Sequence, residues 1–536
     1  MESSDDELKR QPWIIAAAVA ATSFMLLFGV FPLVTIVRQL LTSAADFESA
    51  YGWKDIAVLL WQSSSQAALS ALLTLMAGLP VAFLLSRFEF VGRRFLYGVV
   101  MLPFILPTMV TALGLRGLFA GVLAQGLWLV VVGHVFVNIA VVVRFVGAAI
   151  EQLDERLLFQ ARSLGASGLV SWLTIGLPLL RPAIVRSGVL VFGFCFSSLS
   201  LILVLGTRSN RTFETEVLRQ VSLLLDFRGA AFNTVIQLVC IALVLVLGAR
   251  WGKSPVGASW QGLERRAIGQ RWGWRLFAVV TAVAYLAPLA WLVRRSFSGQ
   301  RGWSAEYWNS LLQGSVASGS VPNISSIGPS IVRSIFLALV VALVAVLIAA
   351  MCASLTIQSS DTRFRLVGRV ALMPMMLTSA TVGLGMLLLF SRPPFEWQRG
   401  GISLVLAQSL IAIPIAYAFI LNKLEEVDSQ MSVAAAALGS SPGQAWWTTY
   451  GATLMSSALA ASGLAMAIAM GEYGAASFLS DYQSPNLTVV LMRLLGRPSE
   501  AALSYSSILA LVLAALALFS VATFESASRR ARRVRQ

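Results

Sequence analysis

Apolar residues run along this chain in blocks of about 20, too long for a half-buried strand and too continuous for the stripe of a surface helix. A block of that length, wound as a helix, crosses roughly 30 Å of hydrocarbon. The pattern predicts spans at 14–37, 57–86, 96–119, 127–150, 183–205 and 231–249, then at 274–293, 330–357, 366–390, 402–422, 453–479 and 502–524. The fold class is therefore all-α: a polytopic membrane protein of about 12 transmembrane helices in two homologous six-helix halves. The halves are expected over 1–250 and 274–536, joined by a cytoplasmic linker at 251–273. The first block follows the polar MESSDDELKRQPW and is too long for a signal-peptide core, so it is expected to stay as a span.

One polar stretch interrupts this regime, Leu153 to Pro178. Asp154 can cap a short helix there, Leu157, Ala161 and Leu164 fall on one face, and Gly165 can end it in the left-handed conformation. Adding 274 to these numbers gives Asp428, Met431, Ala435, Leu438 and Gly439, in the same arrangement. The same offset aligns Glu151 with Glu425 and Ser197-Ser198 with Gly471-Glu472. A parallel repeat follows, of the kind that in transporters places the site between the halves near mid-membrane.

These residues resemble the cytoplasmic loop of ABC importer membrane subunits, written EAA, three residues, Gly, nine residues, Ile-x-Leu-Pro. The first copy matches at Ala161, Gly165, Ile175, Leu177 and Pro178, with Phe159 for the glutamate and Gln160 for the first alanine. The second keeps Ala434, Ala435 and Gly439, has Val433 for the glutamate, and carries Thr449, Gly451 and Ala452 in place of the tail. The resemblance implies a type I ABC importer permease fold in its fused two-half form. It implies docking of two copies of a separate ABC ATPase on Leu157, Gln160, Ala161, Leu164 and Gly165 and on Met431, Ala434, Ala435, Leu438 and Gly439. An extracytoplasmic solute-binding protein and a bacterial inner-membrane location are implied with it. ATP and magnesium belong on the ATPase, and no cofactor is expected on this chain.

Composition supports the membrane reading: 57% hydrophobic and 12% charged residues, with a mean hydropathy of +0.78. The net charge of +15 does not point to nucleic acid, because the arginines gather at the ends of apolar blocks. Arg87, Arg93 and Arg94, then Arg363, Arg365 and Arg369, then Arg529, Arg530, Arg532, Arg533 and Arg535 favour both termini and both repeat helices in the cytoplasm. The linker adds Lys253, Arg265, Arg266 and Arg271. Cys195, Cys240 and Cys352 lie in apolar runs and suggest neither disulfides nor a metal site.

No catalytic group emerges. Gly252-Lys253-Ser254 looks like the end of a phosphate-binding loop, but Leu247 stands where that motif needs glycine. The single histidine, His134, has no triad or ligand cluster around it and reads as an interfacial or packing residue. Arg144 is placed to snorkel to the cytoplasmic face. Glu472 is the one acid counted well inside a span, beside Tyr473 and between Gly471 and Gly474. With Ser197, Ser198 and Asn138 it makes the candidate translocation path; a structural role for Glu472, against Ser197 and Ser198, is the competing expectation. Ser63, Ser64, Ser65 and Ser200 either line the path or bridge helices.

The layout resembles the fused permeases of thiamine and ferric-iron importers. HVFVNIAVVVR, FSSLSLILVLG and TFETEVLRQ favour the thiamine type, and a carboxylate beside tyrosine suits an aromatic cation. Ferric ion also suits carboxylates. An ion-coupled secondary transporter would share the twelve spans but should carry several intramembrane acids; a membrane enzyme would need a catalytic cluster.

Overall fold

The computed structural model of the protein describes residues 12–41, 53–251, 265–269, 271–299, 302–313, 327–358, 366, 368–391, 393, 401–428 and 430–533. Lys253, Arg363, Arg365, Arg535 and the Gly252-Lys253-Ser254 stretch lie outside them. The first half contains α1 (Ile15–Leu41), α2 (Trp53–Arg87), α3 (Arg93–Ile105), α4 (Thr108–Leu118), α5 (Leu127–Glu151), α6 (Glu155–Ser163), α7 (Gly168–Phe196), α8 (Ser200–Leu205), α9 (Phe213–Arg219) and α10 (Phe227–Trp251). The second contains α11 (Trp272–Ser296), α12 (Glu306–Gln313), α13 (Ile327–Gln358), α14 (Gly368–Met376), α15 (Ser379–Phe390), α16 (Ile402–Glu425), α17 (Gln430–Ala437), α18 (Pro442–Gly471), α19 (Gly474–Leu479), α20 (Leu487–Leu495) and α21 (Glu500–Arg533). Among the described residues, ten helices are long and apolar enough to cross a membrane, or up to 12 when each of two bent pairs counts as a span.

Those bent pairs correct two of the predicted spans. The blocks 96–119 and 366–390 are broken, with α3 meeting α4 at 107° and α14 meeting α15 at 102°. Pro107 disfavours the helical conformation at Leu106, whose ψ is 141°. Leu377 is extended likewise, and Thr378 caps α15 by accepting from Thr381 N at 3.1 Å. The blocks 183–205 and 453–479 are displaced. Their helices start at Gly168 and Pro442, behind the caps Ser167 and Ser441, and stop at Phe196 and Gly471. The latter part of the polar stretch 153–178 thus belongs to α7.

The repeat is legible in the hydrogen bonds. Ser167 Oγ accepts from Val170 N and Ser441 Oγ from Gln444 N, at 3.3 and 3.4 Å, each 274 residues apart. Ser63 Oγ accepts from Phe213 N at 3.2 Å, and Ser334 Oγ from Leu487 N at 2.8 Å. The offset is 271 for α2 to α4, since the connection before α16 is three residues longer than the one before α5.

Packing does not follow the linear halves. The first spans straddle the halves: α1 packs on α13 and α15 as well as on α10, and α11 packs on α3 and α4 as well as on α21. Glycine permits both close approaches. A β-carbon on Gly385 would come within 2.7 Å of Pro32, and one on Gly114 within 2.8 Å of the Pro288 carbonyl. Tyr285 of α11 donates to Phe136 O at 3.1 Å and stacks on its ring at 4.6 Å. At the end of α2, Phe88–Glu89 (β1) pairs in parallel with Arg266–Ala267 (β2), fastening the end of the linker to the first half. Ser298–Gly299 (β3) and Gly302–Trp303 (β4) form a small antiparallel pair after α11.

Candidate functional site

The two polar helices form as a matched pair. Asp154 accepts from Arg156 N and Asp428 from Gln430 N, both at 2.9 Å. Gly165 and Gly439 close them at φ of 93° and 87°, with Ala166 N donating to Ala161 O at 3.0 Å and Ser440 N to Ala435 O at 3.1 Å. Leu158 is buried and anchors α6, so the predicted stripe faces outward. Leu157, Leu164, Met431 and Leu438 are 39%, 90%, 60% and 88% exposed. Ala161 and Ala435 are half-buried beside them, while Gln160 and Ala434 are exposed. Apolar side chains held out by a capped helix mark a surface built to be covered. Glu155 pins the first copy to the bundle through Arg87 Nη2, at 2.6 Å.

The second site lies where the broken helices meet. Glu472 is not inside a continuous span; it is the residue at which α18 stops, extended at ψ 111°, with Tyr473 opening α19. Ser197 and Ser198 occupy the corresponding break between α7 and α8. Glu472 Oε1 accepts from Ala475 N at 3.3 Å, and the Ser379 hydroxyl and Gly474 N–H also face it. Ser197 and Ser198 are not its partners: Ser197 Oγ donates to Gly193 O at 2.8 Å. The flanking glycines explain the break's shape. A β-carbon on Gly471 would lie 3.0 Å from Pro107 Cα, and one on Gly474 would collide with Ser379. The break is thereby wedged between the bend of α3–α4 and that of α14–α15.

A second acid stands there that the hydropathy pattern does not reveal. Glu214, in the short α9, is fully buried. Its Oε1 accepts from Gln237 Nε2 at 2.7 Å, the Thr378 hydroxyl and Ala380 N–H face the same carboxylate, and Glu472 is close enough for the two charges to repel. Thr378, which caps α15, and Ser379 and Ala380 in its first turn therefore reach the two acids between them. Glu472 is therefore not the lone acid at this junction: Glu214 stands with it. Glu214 escapes because TFETEVLRQ is too polar to score as a span. The available signal is the 274 offset, which pairs Thr212 with Asn486 as caps of α9 and α20.

Asn138 is set apart from this junction. It is buried in α5, donating to His134 O at 2.9 Å and lying 3.6 Å from Cys195 Sγ. His134 is buried with it, its Nδ1 within 3.3 Å of Gln66 and 3.2 Å of Ser70. It is a packing residue of the α2–α5–α7 bundle, with no place at a membrane interface. Gln408, its counterpart 274 residues on, donates to Ala469 O at 3.2 Å, as Gln66 donates to Cys195 O at 3.4 Å.

Residues 75–252 match the family model described as binding-protein-dependent transport system inner membrane component. The chain is 30% identical to a sulfate transport system permease protein of Salmonella typhimurium over 201 residues, 34% of this chain and 72% of the relative. It is 27% identical to a thiamine transport system permease protein of Brucella abortus over 274 residues, 47% of this chain and 50% of that one. With a molybdate/tungstate transport system permease protein of Pyrococcus furiosus it shares 28% identity over 138 residues, 26% of this chain and 55% of the relative. With its broken spans, its paired outward-facing helices and these similarities, the chain belongs to the family of inner-membrane permease components of binding-protein-dependent ABC importers.

Proposed function

We propose that this chain is by itself the complete membrane passage of an ABC importer, moving an organic cation, thiamine, between its two halves. Two copies of an ATPase subunit dock on α6 and α17, with both termini on the ATPase side. An extracytoplasmic solute-binding protein delivers the solute to the opposite face. The observation that carries the coupling role is the pair of capped helices, each ended by a left-handed glycine and presenting Leu164 or Leu438 almost fully exposed. Among the described residues nothing covers Leu164 or Leu438. ATP chemistry is assigned to the partner.

The solute reading is supported by the two acids, Glu214 and Glu472, at the junction of the halves. Relatives carry thiamine, sulfate or molybdate/tungstate in their names, so charge is the property that separates the candidates. Ferric ion is the second cation that two carboxylates suit. An ion-coupled secondary transporter is the weaker reading, since the outward-facing helix pair would then have no task.

Docking is tested with Ala161→Trp combined with Ala435→Trp. The membrane chain should insert and fold normally while ATPase co-purification is lost. Normal co-purification with normal solute-stimulated hydrolysis would refute the docking role. Uptake of labelled thiamine against ferric ion by the reconstituted three-part complex tests the solute.

A further inference from the structure

We propose that Glu214 and Glu472 act as one carboxylate pair that holds a single positive charge, a proton at rest and the cationic solute in transit, and so selects cations over anions. The proposal rests on the importer reading and specifies the chemistry of its path. Glu214 comes from the first half and Glu472 from the second, and Thr378, Ser379 and Ala380 bridge them. Glu472 is half-buried, whereas Glu214 behind it is wholly enclosed.

Charge balance is the first argument. Glu216, two residues from Glu214 and almost equally buried, is neutralised by Arg211 at 3.1 Å and Arg219 at 2.5 Å. Those arginines are thereby occupied. The recorded partners of Glu214 and Glu472 are amides, hydroxyls and backbone N–H groups, none of them cationic. Of the elements packed on Glu214, α10 offers it Gln237 and α15 offers Thr378 and Ala380. Glu214 Oε2 is left buried without a well-formed hydrogen bond. Two carboxylates in low dielectric with only dipoles around them do not both stay ionised; one proton between them removes the repulsion. A cation entering beside Glu472 replaces that proton, which leaves to solvent.

The repeat supplies the second argument. The positions related to Glu214 and Glu472 are Thr488 and Ser198, and Thr108 stands where Ser379 does. The sister junction therefore carries hydroxyls and no acid. Since α7–α8 and α3–α4 break in the same way without carboxylates, the acids are not required for the broken-helix geometry.

The test uses the permease with its ATPase and binding protein in proteoliposomes, comparing wild type with Glu214→Gln, Glu472→Gln and Glu214→Thr, the last copying the sister junction. Infrared spectra of each at neutral pH report a protonated carboxyl, and labelled thiamine and sulfate are the transport probes. The expected result is a protonated-carboxyl band in wild type that disappears in every variant. Thiamine uptake per folded complex should fall at least about tenfold while melting temperature and ATPase association hold. A band absent from wild type, or unchanged in all three variants, overturns the pair. Unchanged thiamine uptake in the variants, or sulfate uptake by wild type, overturns the cation selection. If wild type takes up neither probe, the solute assignment fails, and the band alone still decides whether the pair shares a proton.

Discussion

Single residues carry much of the work at the helix ends. Gly165 and Gly439 adopt φ of 93° and 87° with open space around their α-carbons, so the left-handed backbone, and not crowding, is what demands glycine. Replacing each by valine should cost about 1–2 kcal/mol. It should fray α6 or α17 and weaken ATPase co-purification with little change in the melting temperature of the membrane bundle. The contrast between Glu214 and Glu216 is also set at this scale: one turn of one helix buries both acids, and Arg211 and Arg219 reach Glu216.

At the scale of elements, the two outward-facing helices share their caps but differ in the charges the sequence gives them. Arg87, with a side chain 5% exposed, reaches Glu155 at 2.6 Å and ties α6 to the end of α2. The aligned positions in the second copy are Gln358 and Ser429, which bear no charge. Glu155→Gln should therefore weaken this charge-assisted contact and destabilise the chain by about 1–3 kcal/mol, seen as a lower melting temperature. Hydrolysis stimulated by the loaded binding protein should fall as well, whereas Ser429→Ala should leave both unchanged. Equal behaviour of the two variants would remove any special role for this ion pair.

Across the whole molecule, the first spans, each packed on both halves, tie the halves together. Gly114→Val and Gly385→Val insert methyl groups where the Pro288 carbonyl and Pro32 already sit, and overpacking of this kind costs about 1–3 kcal/mol each. Their combination should lower the melting temperature more than a valine at Gly98, whose β-carbon position is open. A protease site inserted between residues 252 and 264 and then cut should leave two fragments that co-purify in detergent, because α1 and α11 each pack on the opposite half. Separation of the fragments would show that these contacts do not hold the halves.

Much of this is written locally. Runs of apolar residues near 20 long have one low-energy state in a bilayer, so the helix class follows from the sequence with little tertiary help. The caps Asp154 and Asp428 and the glycines Gly165 and Gly439 act through bonds to residues two to five away, and the 274 offset exposes them as a repeat. Hydropathy averages over a window, however, so it cannot register a 107° bend at Leu106-Pro107 or a two-residue break at Glu472-Tyr473. Nor can it rescue Glu214 from a stretch that is polar on average. Burial there is decided by α10 and α15 closing over α9, contacts between residues 23 to 166 positions apart. The sequence alone determined the membrane class, the helical content and the repeated capped helices. Only the tertiary structure decided that each first span packs on both halves and which acids face each other, because those depend on packing between segments whose own patterns are the same either way.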